Sequence, residues 1–447
     1  MNTLSETTPE QEARRARTVW WILTLATVGL IFDGYDLVVY GAVVSTFLRD
    51  ASQIGTVTPP MAGALGSYAL FGVALGAFLA GSVGDIIGRR KVMLASYAWF
   101  SVGMALTALS SSASQFGWMR FVTGLGIGSL VATTAALVAE YAPQDKKNLF
   151  IAISNGGIPL GSMLSAVLAM VLMQQIGWRG MFWIGAVPIV TLLPLAWFKM
   201  PESVAWLAAR GRLDEARALS ERIGVPMPAA AAPAPASDHT PAHTQRSGFA
   251  GLFSTYYLWP TLVLGCMSAT GLLLVYSLNT WLPELMLRAG YNTKGSLAFL
   301  AVLNGGSLFG AMAASRAADR FGPKPVVAAS FATGALALVV LTFSFPLGAL
   351  LAVVAIVGLG TSGTQTLIYG FVANYYRTQV RAAGVAWCAG FGRIGGIGGP
   401  MLGSALITAG LPLDVIFYIL AGLALLGVGL TLLVPLSRSA QWRLAHA

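Results

Sequence analysis

The sequence predicts an all-α membrane protein of twelve transmembrane helices in two pseudo-symmetric six-helix bundles, and three observations carry that prediction. Of the 447 residues 56% are hydrophobic and only 10% charged, whereas soluble domains run nearer 25% charged. The apolar residues fall in twelve runs, at 19–44, 61–83, 92–111, 116–139, 148–173, 178–199, 256–280, 295–315, 325–344, 346–369, 382–408 and 413–435. A hydrocarbon core of about 30 Å takes about 20 helical residues to cross. Finally, the cations sort by side. Across twelve spans only Arg49, Arg179, Arg288 and Lys294 fall on one face, and Arg120 and Arg393 lie inside runs. Every other Lys and Arg falls on the opposite face, so the positive-inside rule puts both termini and the central loop in the cytoplasm.

The first run, Val19 to Val44, is about 39 Å long as a helix and its only charges are Asp33 and Asp36. An ionised carboxylate facing lipid costs at least about 3 kcal/mol, so such groups face a polar interior and mark an ion or substrate path. The two are three residues apart on one helix face, which Tyr40 shares; Asp33 is the deeper. The polar start, Met1 to Arg17, precedes a run too long for a signal peptide and without a clear cleavage site,.

Farther along, Arg120 opens the fourth run and needs a counter-charge, for which Asp33 and Asp36 are both candidates; Glu140 closes the same run. Residues 1–200 form the first half. Residues 201–252 form a cytoplasmic linker, with an amphipathic helix over 202–223 followed by a disordered Ala/Pro-rich stretch, 226–247. Residues 253–447 form the second half. In it Arg393 is the one deep cation, set among glycines in Gly390-Phe391-Gly392-Arg393-Ile394-Gly395-Gly396. A guanidinium there offers a planar two-pronged donor for a carboxylate.

The halves echo each other. At one constant offset Asp85 maps onto Asp319, Glu140 onto Asn374 and Lys147 onto Arg381, the mark of a duplicated unit whose site lies between the copies. Other chemistries are excluded. The three histidines lie in the linker and the tail, and Cys266 and Cys388 sit singly in apolar runs, so neither metal, cofactor nor enzymatic chemistry is staged,. The net charge of +10 is explained by the loops and implies no nucleic acid,.

The run Gly81, Asp85, Gly88, Arg89, Arg90 resembles the signature of the major facilitator superfamily, whose two six-helix bundles rock about a central cavity. The pattern Arg120, Gly124, Gly126, Gly128 is similar to that superfamily's fourth span. Together with Asp33-Gly34-Tyr35-Asp36 and the run through Arg393 to Gly399-Pro400, these resemble the aromatic acid:proton symporter family. The resemblance implies proton-coupled uptake of benzoate or a hydroxybenzoate across the inner membrane, by a monomer. It implies functional charges at Asp33, Asp36, Arg120 and Glu140 for the proton, and at Arg393 for substrate. Asp85, Arg89, Arg90, Asp319 and Arg381 would serve as a cytoplasmic gate, with Asp85 reaching arginines such as Arg381 across the halves. Tyr40, Tyr276, Trp281, Tyr369 and Phe391 are the rings available to pack on an aromatic substrate. Pro201-Glu202-Ser203-Val204-Ala205-Trp206-Leu207 resembles a run of sugar porters that also occurs in aromatic acid carriers. The rival expectations are a proton-driven antiporter exporting organic anions or drugs, and a sensor of aromatic acids.

Overall fold

With no water in a bilayer core to satisfy backbone N–H and C=O groups, an apolar run can cross only by bonding to itself. In the computed structural model, which describes residues 9–143, 146–225, 227 and 248–435, the apolar runs are helical over most of their length. The first half comprises α1 (Pro9–Arg49), α2 (Pro59–Ile87), α3 (Arg89–Ala108), α4 (Ala113–Tyr141), α5 (Lys147–Asn155), α6 (Gly157–Ala186) and α7 (Leu192–Lys199). The linker carries α8 (Val204–Ala209), α9 (Leu213–Ile223) and α10 (Gly248–Leu252). The second half comprises α11 (Leu258–Arg288), α12 (Thr293–Phe321), α13 (Pro323–Val340), α14 (Leu347–Gly358), α15 (Thr364–Tyr375), α16 (Thr378–Thr408) and α17 (Leu413–Leu433).

Among the described residues nine helical stretches are long and apolar enough to cross a membrane. One of them, Leu149–Lys199, is two spans run together, parting at Gly177, whose φ of 65° lies outside the helical region. With α3 and α16 the count reaches twelve. Side-chain caps fix several starts: Thr58 accepts from the Met61 amide ahead of α2, Ser112 from Gln115 ahead of α4, and Asn292 from Gly295 ahead of α12,.

Two details differ from expectation. The span expected over 256–280 continues to Arg288, carrying Pro283 inside it. The expected amphipathic helix parts into α8 and α9 at Gly211 (φ 74°), and α9 buries Ala216, Leu219 and Ile223. Pro226 and residues 228–247, where a disordered stretch was expected, lie outside the described residues.

The pairings within one half repeat in the other. α1 packs on α6 as α11 packs on α16; α2 on α4 as α12 on α14; α3 on α6 as α13 on α17. The turns repeat as well: Gly88 between α2 and α3 has φ 103° and ψ 148°, and Gly322 between α12 and α13 has φ 90° and ψ 153°. Only glycine adopts that backbone without strain. The glycines of the fourth span answer a need for close approach. A Cβ at Gly124 would lie 2.2 Å from the Ala69 carbonyl oxygen of α2, and one at Gly128 would lie 2.0 Å from that of Val73.

Between the halves α1 meets α11, α2 meets α16 and α6 meets α12. Several of these contacts lie at the end away from the arginine-rich loops. There Gly41 abuts the Asn279 carbonyl, Gly63 abuts Ser404, and Ser67 Oγ donates to the Ile397 carbonyl at 2.7 Å. At that end Arg49 of α1 is paired with Glu284 of α11 at 2.9 Å.

Candidate functional site

The middle of α1 supplies both deep carboxylates, Asp33 and Asp36, which are 3% and 1% exposed. A step of three residues turns a helix by about 300°, so side chains on one broad face still point about 60° apart. That offset gives them different partners. Asp36 points into its own half, where Arg120 of α4, itself 2% exposed, donates Nη1 to Asp36 Oδ1 and Nη2 to the Asp36 carbonyl at 3.3 Å. The Phe182 ring lies 5.7 Å from the same guanidinium. Of the two counter-ion candidates for Arg120, the structure selects Asp36.

Asp33 turns toward the other half. Arg393 of α16 acts on it electrostatically, beyond ion-pair distance. Arg393 and Asp33 both bear on the Tyr276 hydroxyl of α11, with Tyr369 of α15 beside it. Four elements from both halves thus converge on one carboxylate, one guanidinium and two phenols. The arrangement can hold an anion on Arg393 and a proton on Asp33, with aromatic faces next to both.

The other expected rings sit elsewhere. Tyr40 is 1% exposed, its hydroxyl donates to the Ala62 carbonyl at 2.5 Å, and its ring packs 6.0 Å from Phe116. Trp281 is also 1% exposed, and its indole N–H donates to the Pro400 carbonyl at 2.8 Å. Both polar tips are committed to backbone in tightly packed surroundings. Phe391 lies against Gly265 and stacks on Trp387 at 5.1 Å.

Glu140, grouped in the sequence with the proton site, stands instead at the arginine-rich end. It accepts from Arg89 Nε and from Ser203 Oγ, each at 2.5 Å. Glu202 Oε1 accepts the backbone amides of Arg90 and Ser203 at 3.0 Å each, and Tyr141 donates to the Glu202 carbonyl at 2.5 Å. Arg90 also donates Nη2 to the Trp197 carbonyl at 2.6 Å. These contacts of Arg89 and Arg90 tie the α2–α3 turn to Glu140 of α4, Trp197 of α7 and Glu202 at the start of the linker. Asp319 and Arg381, expected in a gate with them, are exposed and have no ion pair among the described residues. The Asp85 side chain lies outside the described residues.

Glu284 was missed. Only 2% exposed, it accepts from Arg49 of the first half at 3.1 Å and from Arg288 of its own helix at 2.9 Å. Ending the seventh span at 280 left Glu284 in a loop. The Glu-x-x-x-Arg spacing to Arg288, which favours a helical pair, was the signal that could have extended it.

The chain matches the family model of the sugar (and other) transporters over residues 21–435. It is 32% identical over 424 residues to the benzoate transport protein of Acinetobacter baylyi, covering 92% of this chain and 88% of that one. It is 33% identical over 416 residues to the gentisate transporter of Corynebacterium glutamicum, covering 92% and 86%. Its fold is similar to that of the D-xylose-proton symporter, with a TM-score of 0.72 at 17% identity over 93% of this chain and 98% of that structure. The twelve-helix fold, its internal repeat and these matches agree, and the chain is a membrane transporter of the sugar (and other) transporter family within the major facilitator superfamily.

Proposed function

We propose that the chain couples entry of a proton to uptake of an aromatic carboxylate such as benzoate or a hydroxybenzoate. The observation that carries this reading is Asp33 facing Arg393 across the two halves, beside Tyr276 and Tyr369. The benzoate and gentisate transporters named above give the substrate class.

Asp33 and Arg393 facing each other balance to a neutral site. An entering carboxylate takes the Arg393 fork in a charge-assisted, two-pronged hydrogen bond, and its ring lies against the phenols. That step leaves Asp33 unbalanced unless Asp33 holds a proton. Substrate and proton therefore load together, the site stays neutral, and the halves 1–200 and 253–447 rock about it. By the positive-inside rule the arginine-rich end is cytoplasmic. The closed seam at the opposite end, with Arg49 on Glu284, corresponds to an inward-facing state of a monomeric carrier in the inner membrane.

Uptake of labelled benzoate and 4-hydroxybenzoate, with and without a protonophore, tests the reading in cells lacking other carriers. Accumulation that the protonophore abolishes is expected. Accumulation of neither acid by a correctly inserted chain, or export driven by inward protons, overturns it.

A further inference from the structure

Halfway along the tenth span the helix widens into a π turn, Leu359–Gly363, between α14 and α15. Such turns are rare and occur frequently at functional sites. Two side chains at this break have a buried polar atom with no hydrogen-bond partner: Ser362 Oγ and Gln365 Oε1. Buried polar atoms are nearly always satisfied, so two exceptions three residues apart call for a cause.

The orientation of the Gln365 amide is determined by its neighbours. Ser268 of α11 donates its hydroxyl to the Cys388 carbonyl at 2.9 Å, so towards Gln365 it can only accept, and Gln365 Nε2 is the donor at 3.1 Å. Oε1, an acceptor, is left over against Gly271, where a Cβ would come within 2.3 Å of it. Gln365 itself is 6% exposed.

The position is adjacent to the proposed substrate site. Ser362, Gln365 and Tyr369 follow helical spacing along one face, and Tyr369 and Arg393 both bear on the Tyr276 hydroxyl. Gly392, the residue before Arg393, packs against Ser268 so closely that a Cβ there would lie 2.5 Å from Ser268 Oγ.

We propose that Ser362 and Gln365 form a subsite that reads a ring hydroxyl of the substrate, so that the carrier favours hydroxylated benzoates over benzoate. The inference rests on the aromatic-carboxylate function proposed above. With the carboxylate on Arg393, a phenolic O–H is the donor that Gln365 Oε1 lacks, and Ser362 Oγ can donate to or accept from the same hydroxyl. An unsubstituted ring edge offers no such proton and leaves the buried acceptor empty, which is how a polar site rejects a ligand lacking its partner group.

The test measures initial uptake of labelled benzoate, 3-hydroxybenzoate and 4-hydroxybenzoate by the full-length wild type, Gln365→Leu and Ser362→Ala, and takes the hydroxybenzoate-to-benzoate ratio within each strain. The ratio cancels differences in expression. We expect the wild type to favour one hydroxylated acid about tenfold, the discrimination one hydrogen bond supplies, and each variant to lose most of that preference through a raised KM for the hydroxylated acid. Variants that scale all three acids by one factor overturn the subsite and leave Gln365 a tie between α11 and α15. A wild type that favours benzoate overturns it as well. Accumulation of none of the acids by the wild type overturns the function instead. If Gln365→Leu fails to reach the membrane, Ser362→Ala, which deletes a single atom, decides the matter.

Discussion

Replacing Asp33 by Asn keeps the size of the side chain and removes its charge for good. In the wild type, a substrate carboxylate on Arg393 with Asp33 ionised leaves a net negative charge in a site where Asp33 is 3% exposed. Taking about 5 Å between the two carboxylates and an effective dielectric of about 20, the repulsion is about 3 kcal/mol. That is a factor of about 200 in affinity. Protonation of Asp33 lifts the penalty, so wild-type affinity falls as pH rises. Asparagine lifts it at every pH. The variant is therefore expected to bind benzoate with little pH dependence and to exchange labelled for unlabelled acid across proteoliposome membranes. It is also expected not to accumulate the acid when only a pH gradient is imposed. Accumulation by Asp33→Asn at the wild-type level, or a pH dependence of binding like the wild type's, refutes the assignment of the coupled proton to Asp33.

Arg393→Lys keeps the charge but loses the planar fork. An increase of about tenfold in KM for benzoate uptake, larger than any change in maximal rate, is expected; an unchanged KM removes Arg393 from the substrate. Asp36→Asn strands the Arg120 guanidinium, which is 2% exposed, and breaking one side of a buried pair costs about 3–5 kcal/mol. A clear loss of Tm in detergent follows, whereas the pair Asp36→Leu with Arg120→Met regains much of it; a single variant as stable as wild type contradicts the anchoring role. Glu284→Gln weakens the tie to Arg49, whose side chain is 49% exposed, so the effect is small, about 1.5 kcal/mol. It is read as a roughly tenfold faster reaction of a cysteine at Ala42 with an impermeant maleimide added outside. Gly128→Val forces a branched side chain against the Val73 carbonyl, and overpacking of about 1–3 kcal/mol is expected to lower the yield of folded carrier.

The spans were legible because the bilayer permits an apolar run only one conformation, and the duplication was legible because Gly88 and Gly322 stand at the same turn of each half. The choice between Asp33 and Asp36 as partner of Arg120 was not legible. It depends on how far α1 is rotated about its axis, and a 60° difference between two residues of one face decides it. Tyr40 and Trp281 show a second limit. An aromatic residue with a polar tip at membrane depth suits a binding site and a helix seam equally well. The outcome turned on whether a carbonyl, Ala62 for one and Pro400 for the other, lay within reach. Glu284 follows Pro283 beyond the seventh run, whose expected end is at 280. A proline inside a spanning helix is tolerated where neighbouring helices satisfy the freed carbonyl, and α11 runs through it to Arg288.

The same geometry gives the two carboxylates of the first span unequal tasks. A proton drives a conformational change only through a group whose surroundings differ between the two states. The Asp36–Arg120 pair joins α1 to α4, and the Glu140–Arg89 pair joins α4 to α3. Both lie within the first half, so on the proposed mechanism they travel with it and keep their partners whichever way the carrier faces. Asp33 alone among these acids faces a cation of the opposite half, Arg393, so rocking the halves changes its field directly. On the proposed mechanism, Asp36 is the fixed counter-charge that keeps Arg120 from competing for Asp33. With Arg120 so occupied, the proton on Asp33 answers to Arg393 and the substrate, and Asp36 is the other charge that bears on it.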